Sequence, residues 1–393
     1  MKTTEYKDSE VGRIPADWTV KQIGKMGYTY SGLTGKNKED FGKGEARYIT
    51  FLNVLNNPIL KTDIFETVDV KEGELQNKAI KGDLFFNTSS ETPEEVGICA
   101  LLNEDISNLY LNSFCFGYRL IDPDIDGLYL SYKFRSKQGR DIMSALAQGA
   151  TRYNLSKEYF NKTLIAFPTI DEQKKVAKAL SEIDSLLCKQ NEEIEKKRMI
   201  KDGLMQELLT GKKRLKGFND EWQSVRMEKI EIKNGSMLKS SEYEPGTVPV
   251  IAGGVSAAGY HSKANRPSNT ITISGSGANA GFVNFFEEPI FASDCSTINE
   301  QKSICVKYLY YALLLKQPEI YKCQAGGAQP HVHAKDIKDI VIPMPTLKDE
   351  QVAVASVLTE IDKQIIAIES QRDKYLHIKQ GMMQQLLTGK TRL

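Results

Sequence analysis

The sequence predicts a mixed α/β (α+β) protein in which two globular units alternate with two long helices. Three observations predict it. The chain has 393 residues, about twice the usual domain length, so more than one hydrophobic core is expected. Residues 171–215 and 349–393 align without a gap, with 22 identities in 45 positions. The segments ahead of them carry short β-branched and aromatic runs punctuated by Gly, Asn and Pro.

The duplicated segment reads as a helix in both copies. Val176, Leu180, Ile183, Leu187, Ile194, Leu204 and Leu208 follow the alternating four and three spacing of a coiled-coil seam, as do Val354, Leu358, Ile361, Ile365, Ile368, Tyr375, Met382 and Leu386. Pro168-Thr169 followed by Glu172 suits a capping box, and Gly211 and Gly389 suit the glycine that ends a helix. About 39 helical residues make a rod of roughly 58 Å. One small domain cannot cover such a rod, so the two are expected to pack on each other or on partner helices. The expected interface is Val176, Leu180, Ile183, Leu187, Leu204, Leu208, Val354, Leu358, Ile361, Ile365, Met382 and Leu386. Gln190, Lys197, Lys201, Arg372 and Lys379 also fall on the seam. They either fix register or mark a drift of the apolar stripe, and the sequence leaves both open.

The order is therefore globular unit (1–168), helix (169–215), globular unit (216–346), helix (347–393), with the two tryptophans, Trp18 and Trp222, near the start of each unit. Strands are expected at RYITFLNVL, DLFFNT, FCFGYRLI and TLIAF in the first unit, and at VPVIAGG, TITIS, FVNFF and IVIPM in the second. Helices are expected at LYLSYKFRSKQGRDIMSALAQ and VKYLYYALLLKQPEIYK. The strand order is not readable.

Composition narrows the function. Lys plus Arg is 52 and Asp plus Glu is 51, so bulk charge does not hold nucleic acid and any basic surface is local. No apolar run approaches the roughly 18 residues of a membrane span, and the opening MKTTEYKDSEVGR lacks an apolar signal core, so a cytoplasmic protein is expected. The six cysteines form no CxxC pair, which points to reduced thiols. Gly35 to Gly44 has the wrong spacing for a phosphate loop, and Gly275, Gly277 and Gly281 suit a turn between strands better than a dinucleotide fingerprint. Asn57-Pro58-Ile59 fails as a methyltransferase motif, Asp69 and Lys71 lack a convincing acidic partner, and the His331/His333 pair lacks further zinc ligands. No catalytic or metal site is expected.

What remains is surface chemistry suited to a polymer. Residues 127–168 carry Lys133, Arg135, Lys137, Arg140, Arg152, Lys157 and Lys162 against two acids, and residues 301–338 carry six lysines against two acids. Each cluster runs into a Gly- and amide-rich loop: Gln148, Thr151, Arg152, Tyr153 and Asn154 in the first, Gln324, Gln329, His331 and His333 in the second. Lys and Arg suit phosphates, while Arg, Asn and Gln pair with base edges. Solvated loops would be the plain reading of either alone; recurrence ahead of both rods favours binding. Lys36, Asn37 and Lys38, Ser89 and Ser90, and Tyr260, His261, Lys263, Asn265 and Arg266 lie on loops of similar character. The candidate DNA-contacting set is these residues with Arg135, Lys137 and Arg140.

The rod motif, Asp-Glu-Gln ahead of Ala-x-x-Leu-x-Glu-Ile-Asp and closing on Leu-Leu-Thr-Gly-Lys-x-Arg-Leu, resembles the repeated regions of specificity subunits of type I restriction-modification systems. The strings GDLFFNTSSETPEEVG and GATRYNLSKEYFNKTLIAFP also look like that family's target recognition domains. The resemblance implies two target recognition domains, each reading half of a split double-stranded DNA sequence, held apart by an antiparallel coiled coil. It implies two methyltransferase subunits on the rods, carrying S-adenosylmethionine and methylating adenine, and restriction subunits using ATP and Mg for cleavage. The chain itself would bind no cofactor and catalyse nothing, and would work at the nucleoid of a bacterial or archaeal cell. PHVH (330–333) stands where the first unit has YNLS (153–156), which suggests different half-sites. The rival readings are a self-contained DNA methyltransferase or nuclease, and a coiled-coil scaffold that ignores DNA.

Overall fold

The computed structural model describes residues 5–393, so the first four residues of the expected first unit lie outside the described residues. The chain forms two compact units, Met1–Lys189 with Arg372–Leu393, and Gln190–Gln371. Each takes one part of each long helix, Ile170–Leu208 and Lys348–Leu386, both 39 residues long.

In the first unit a four-stranded antiparallel sheet runs in the order Gly27–Ser31, Cys115–Leu120, Leu84–Asn87, Cys99–Leu101. Gly117 faces Tyr30 across the first pair, and a Cβ there would stand 2.1 Å from the Tyr30 ring; only glycine lets the ring lie over the strand. Tyr30 Oη and the Arg119 guanidinium both donate to the buried Asp83 carboxylate. A second sheet places Phe41–Ile49 between Leu109–Leu111, parallel, and Glu66–Val68, antiparallel. Phe86, Phe116, Tyr118 and Phe134 pack around Phe160, whose ring centroid lies 4.9 Å from that of Phe86.

The second unit repeats this plan with unrelated residues. Its four-stranded sheet runs Lys233–Asn234, Cys295–Ile298, Thr270–Ser274, Val283–Phe286, again antiparallel. Its second sheet places Val248–Ile251 between Gly259–His261, antiparallel, and Phe291–Ala292, parallel. A closing ribbon joins start to end in both: Thr19–Gln22 with Leu164–Phe167, and Trp222–Arg226 with Val341–Pro345. Gly275, Gly277 and Gly281 fall on the turn and strand start between Thr270–Ser274 and Val283–Phe286, with Gly277 and Gly281 at positive φ, as the sequence led one to expect.

Several expectations need correction. RYITFLNVL is not one strand: Phe41–Ile49 ends at Thr50, whose hydroxyl caps the helix Phe51–Asn56 by accepting from the Asn53 amide. The predicted helix after Gly127 breaks into Gly127–Arg135 and Lys137–Leu146, because Ser136 caps the second piece. Its counterpart breaks at Lys316, ahead of Pro318, into Val306–Leu315 and Gln317–Lys322.

The helices pack antiparallel in each unit. In the first, Val176 and Leu180 cluster with Met382, Leu386 and Leu387. In the second, Leu204, Met205 and Leu208 cluster with Val354 and Leu358. Leu187 and Ile365 are also buried, whereas Ile183, Leu204, Ile361 and Met382 are half-buried. The polar seam lysines hold register: Lys379 Nζ lies 2.5 Å from Asp184 in the first unit, and Lys201 Nζ 2.6 Å from Asp362 in the second. Each carboxylate also accepts from a buried tyrosine, Tyr132 or Tyr311, at 2.7 Å. Both helices end near a left-handed glycine, Gly211 and Gly389. Glu172, expected in a capping box, instead gives its carboxylate to Arg392.

Candidate nucleic-acid interface

In the first unit the strand Leu84–Asn87 continues past Thr88 into Ser89–Ser90, which pairs with Tyr153–Leu155, which in turn pairs with Ala147–Gln148. Two candidate segments over 60 residues apart thus meet in one small sheet. Buried Asn87 fixes the start of this loop: its Nδ2 donates to Ser89 O and Glu95 O, and its Oδ1 accepts from Ile98 N at 2.6 Å. Gln148, Thr151, Arg152 and Asn154 are exposed and Tyr153 is half-buried. Arg152 Nε lies 3.3 Å from Ser89 Oγ. Gly149 has φ +135°, and a Cβ there would stand 2.1 Å from Arg152 O, so the turn that presents these side chains requires glycine.

The second unit builds the same corner. His331 bridges Ser276 on one side and Ala325 on the other, as Asn154 bridges Ser89 and Gln148. Leu155 N donates to Thr88 O in one unit, and Val332 N to Gly275 O in the other. Thr88 N donates to Phe114 O, and Gly275 N to Asp294 O. These bonds make Asn154 and His331 structural equivalents, and likewise Phe114 and Asp294. The dissimilar YNLS and PHVH therefore occupy the same place. Gln329 and His333 are exposed, the His331 and His333 rings are 5.4 Å apart, and Gln324 Nε2 donates to Ala280 O.

A family model described as "Type I restriction modification DNA specificity domain" matches residues 15–196 and 219–377, most of the chain. The chain belongs to that family. A protein of Methanocaldococcus jannaschii, provisionally named the type I restriction enzyme MjaX specificity subunit, is 26% identical over 420 residues, covering 100% of this chain and 98% of its own. The type I restriction enzyme MjaVIII specificity subunit of the same organism is 25% identical over 305 residues, covering 68% of this chain and 71% of its own. The fold is that of the crystal structure of a type I restriction-modification S subunit from M. genitalium, with TM-score 0.66, 21% identity, and 94% and 96% coverage. This specificity subunit recognises a DNA target within a complex of restriction-modification subunits and is not itself the catalyst.

The structure redraws the specificity subunit's candidate set. Arg135 is a correction: its guanidinium donates to Cys99 O, Val54 O and Asn57 O, and burial pushes it down to about 10. Arg140 is another, donating to Glu94 O, Val96 O and Gly97 O. Lys133 of the same cluster is buried and donates to Leu387 O. A helix face rich in basic residues is here a set of internal braces. Lys36 spends its charge on Glu74 at 2.6 Å, with its side chain 7% exposed. Asn37 shares a capping box with Asp40, beside exposed Lys38.

In the second unit His261 is buried, its Nδ1 accepting from Glu244 N. Asn265 clamps the main chain of Ala292 at both N and O, and Arg266 donates to Thr297 Oγ1, Asn265 O and Asn234 O. These three leave the candidate set. Tyr260 is exposed, and Lys263 is exposed beside Glu244. Ser90 Oγ donates to Glu95, and Lys137 pairs at 3.5 Å with Asp141 in solvent. Among the described residues no group of three or more His, Cys, Asp or Glu could hold a metal, and no helix is long and apolar enough to cross a membrane.

Sequence reasoning passed over Ser276, Asp294 and Asn234, and counted Lys335 only as one of the six lysines of the 301–338 cluster. A cleft of about 610 Å³ is lined by Asn234, Asp294, His333 and Lys335, and Ser276 Oγ donates to Asp294. No motif marks Asp294; its place emerges only from strand pairing.

Proposed function

We propose that residues 1–168 and 216–346 are target recognition domains, each reading one half of a split double-stranded DNA target through the corner just described. Residues 169–215 and 347–393 are the helical spacers between them. The observation that carries the reading is the repetition of one presentation device with different side chains: Gln148–Asn154 against Ser89–Ser90, and Ala325–His331 against Gly275-Ser276. One device with two sets of side chains suits two different half-sites. Arg152 and Lys38 supply phosphate contacts in the first domain, Lys263 and Lys335 in the second.

Two methyltransferase subunits complete the complex, holding S-adenosylmethionine and methylating adenine after flipping it from the duplex. Restriction subunits add cleavage driven by ATP with Mg, in the cytoplasm of the host. The specificity chain supplies address, not chemistry.

The test is selection from random duplex DNA by the chain co-purified with its methyltransferase subunit. A motif of two fixed halves around a fixed gap is the expected product. A single contiguous motif, or no enrichment, overturns the reading.

A further inference from the structure

Phe114 and Asp294 occupy one position in two copies of the same corner. Each precedes the strand that pairs with the centre of the four-stranded sheet, Cys115–Leu120 and Cys295–Ile298. Each has its carbonyl held by the residue that also takes the amide of Leu155 or Val332, so it lies beside the exposed loop of its unit. Phe114 is 59% exposed. Asp294 faces a cleft, and its Oδ1 is 2.6 Å from where a Cβ of Gly275 would stand. Gly275 thus makes room for a carboxylate where the first unit has Thr88.

The two side chains have opposite chemistry. A carboxylate near phosphates is repelled unless it meets a donor. Lys335 and His333 line the same cleft and lower the cost of placing it there. In the major groove, Asp and Glu accept from the amino group of cytosine, whereas an apolar side chain fits the methyl of thymine.

We infer that position 114/294 is a specificity-determining position, with Asp294 selecting a cytosine amino group in one half-site and Phe114 selecting a thymine methyl in the other. The inference rests on the proposed reading of a split target and deepens it.

The experiment repeats the random-DNA selection with the co-purified methyltransferase subunit for Asp294→Ala, Asp294→Asn and Phe114→Ala, with Arg152→Ala as a reference. Phe114 is exposed and Asp294 half-buried at the edge of a cleft, and unchanged melting curves establish that the variants fold. Asp294→Ala relaxes a single C·G pair in one half by about 10- to 100-fold and leaves the other half unchanged. Asp294→Asn moves the preference at that pair toward adenine, which an amide can bond through both N6 and N7. Phe114→Ala relaxes a single T·A pair in the other half. If these variants keep the wild-type motif while Arg152→Ala weakens binding, the assignment of position 114/294 is overturned and the reading corner stands. If Arg152→Ala and all three variants leave binding and motif unchanged, the corner itself is overturned.

Discussion

Arg392, in the closing Lys-x-Arg-Leu of the second repeat, clasps Glu172 at the start of the first long helix with two bonds of 2.5 Å. Arg214 clasps Glu350 in the same way, at 2.5 and 2.7 Å. The closing Lys-x-Arg-Leu of one repeat thus binds the opening Asp-Glu-Gln of the other, once in each unit. The neighbouring Gln173 and Gln351 extend the joint. Each accepts from the amide of the residue just ahead of a helix in its own unit, Asp126 N before Gly127–Arg135 and Cys305 N before Val306–Leu315, and donates to Pro168 O and Pro345 O. The duplicated motif is therefore an assembly code, and its residues recur because each must meet a fixed counterpart.

Removing Arg392 should cost more than a surface ion pair. Glu172 is nearly inaccessible, and Arg392→Ala leaves its carboxylate unpaired; with the arginine itself partly exposed, about 2–3 kcal/mol is expected. Adding Glu172→Gln to Arg392→Ala should recover part of that loss. Urea unfolding of the two single variants and the double variant measures the coupling; additive losses would show that the pair does not act as a unit.

The acid side follows from Asp17, which also binds Arg392 and is held below the usual carboxylate range by that hydrogen bond. A depressed carboxylate contributes stability that is present above its unfolded value near 4 and lost as pH falls through its lower folded value. Wild type should therefore lose stability below about pH 4 more steeply than Asp17→Asn. Equal slopes for the two would remove Asp17 from the account.

Lys133 gives a slope of the same sign in an alkaline window. Burial pushes its ammonium down to about 7, against roughly 10.4 in an unfolded chain. Between these values the unfolded chain binds more protons, so this residue makes stability rise as pH rises from about 7 toward 10, by at most about 1.4 kcal/mol per pH unit. Buried tyrosines and thiols, whose values are raised, act against it above about pH 9. The difference between wild type and Lys133→Met isolates the lysine. The variant should be relatively more stable at pH 6 than at pH 9, and a pH-independent difference would refute the assignment.

These residues show where the sequence was readable and where it was not. The long helices were legible because Val176, Leu180, Val354 and Leu358 recur at helical spacing, which one stretch of chain carries by itself. The roles of Lys201 and Lys379 were not, since register depends on Asp362 and Asp184, more than 150 residues away. Basic residues were visible, but whether they faced water was not: Lys133, Arg135, Arg140 and Arg266 brace main-chain carbonyls that sequence cannot place. The common plan of the two globular units was hidden for the same reason. Strand pairing is non-local, and Phe114 and Asp294 share no residue pattern.

The contrast between Arg135 and the turn at Gly149 separates fold from reading surface. Arg135→Ala removes three hydrogen bonds to main-chain carbonyls, of which Cys99 O keeps Ser131 Oγ as a donor, and should cost about 3 kcal/mol, with no change in the DNA motif of the molecules that remain folded. Gly149→Ala leaves the core untouched but puts a methyl group against Arg152 O, at a φ that alanine rarely adopts. The turn must open, which displaces Arg152 and Asn154 while the melting temperature stays near wild type. DNA affinity should then fall, and the slope of log affinity against log salt should shrink by about 1, the signature of one lost phosphate contact. Binding isotherms at several salt concentrations measure both quantities. A Gly149→Ala complex with unaltered slope and affinity would place the phosphate contact elsewhere on the unit.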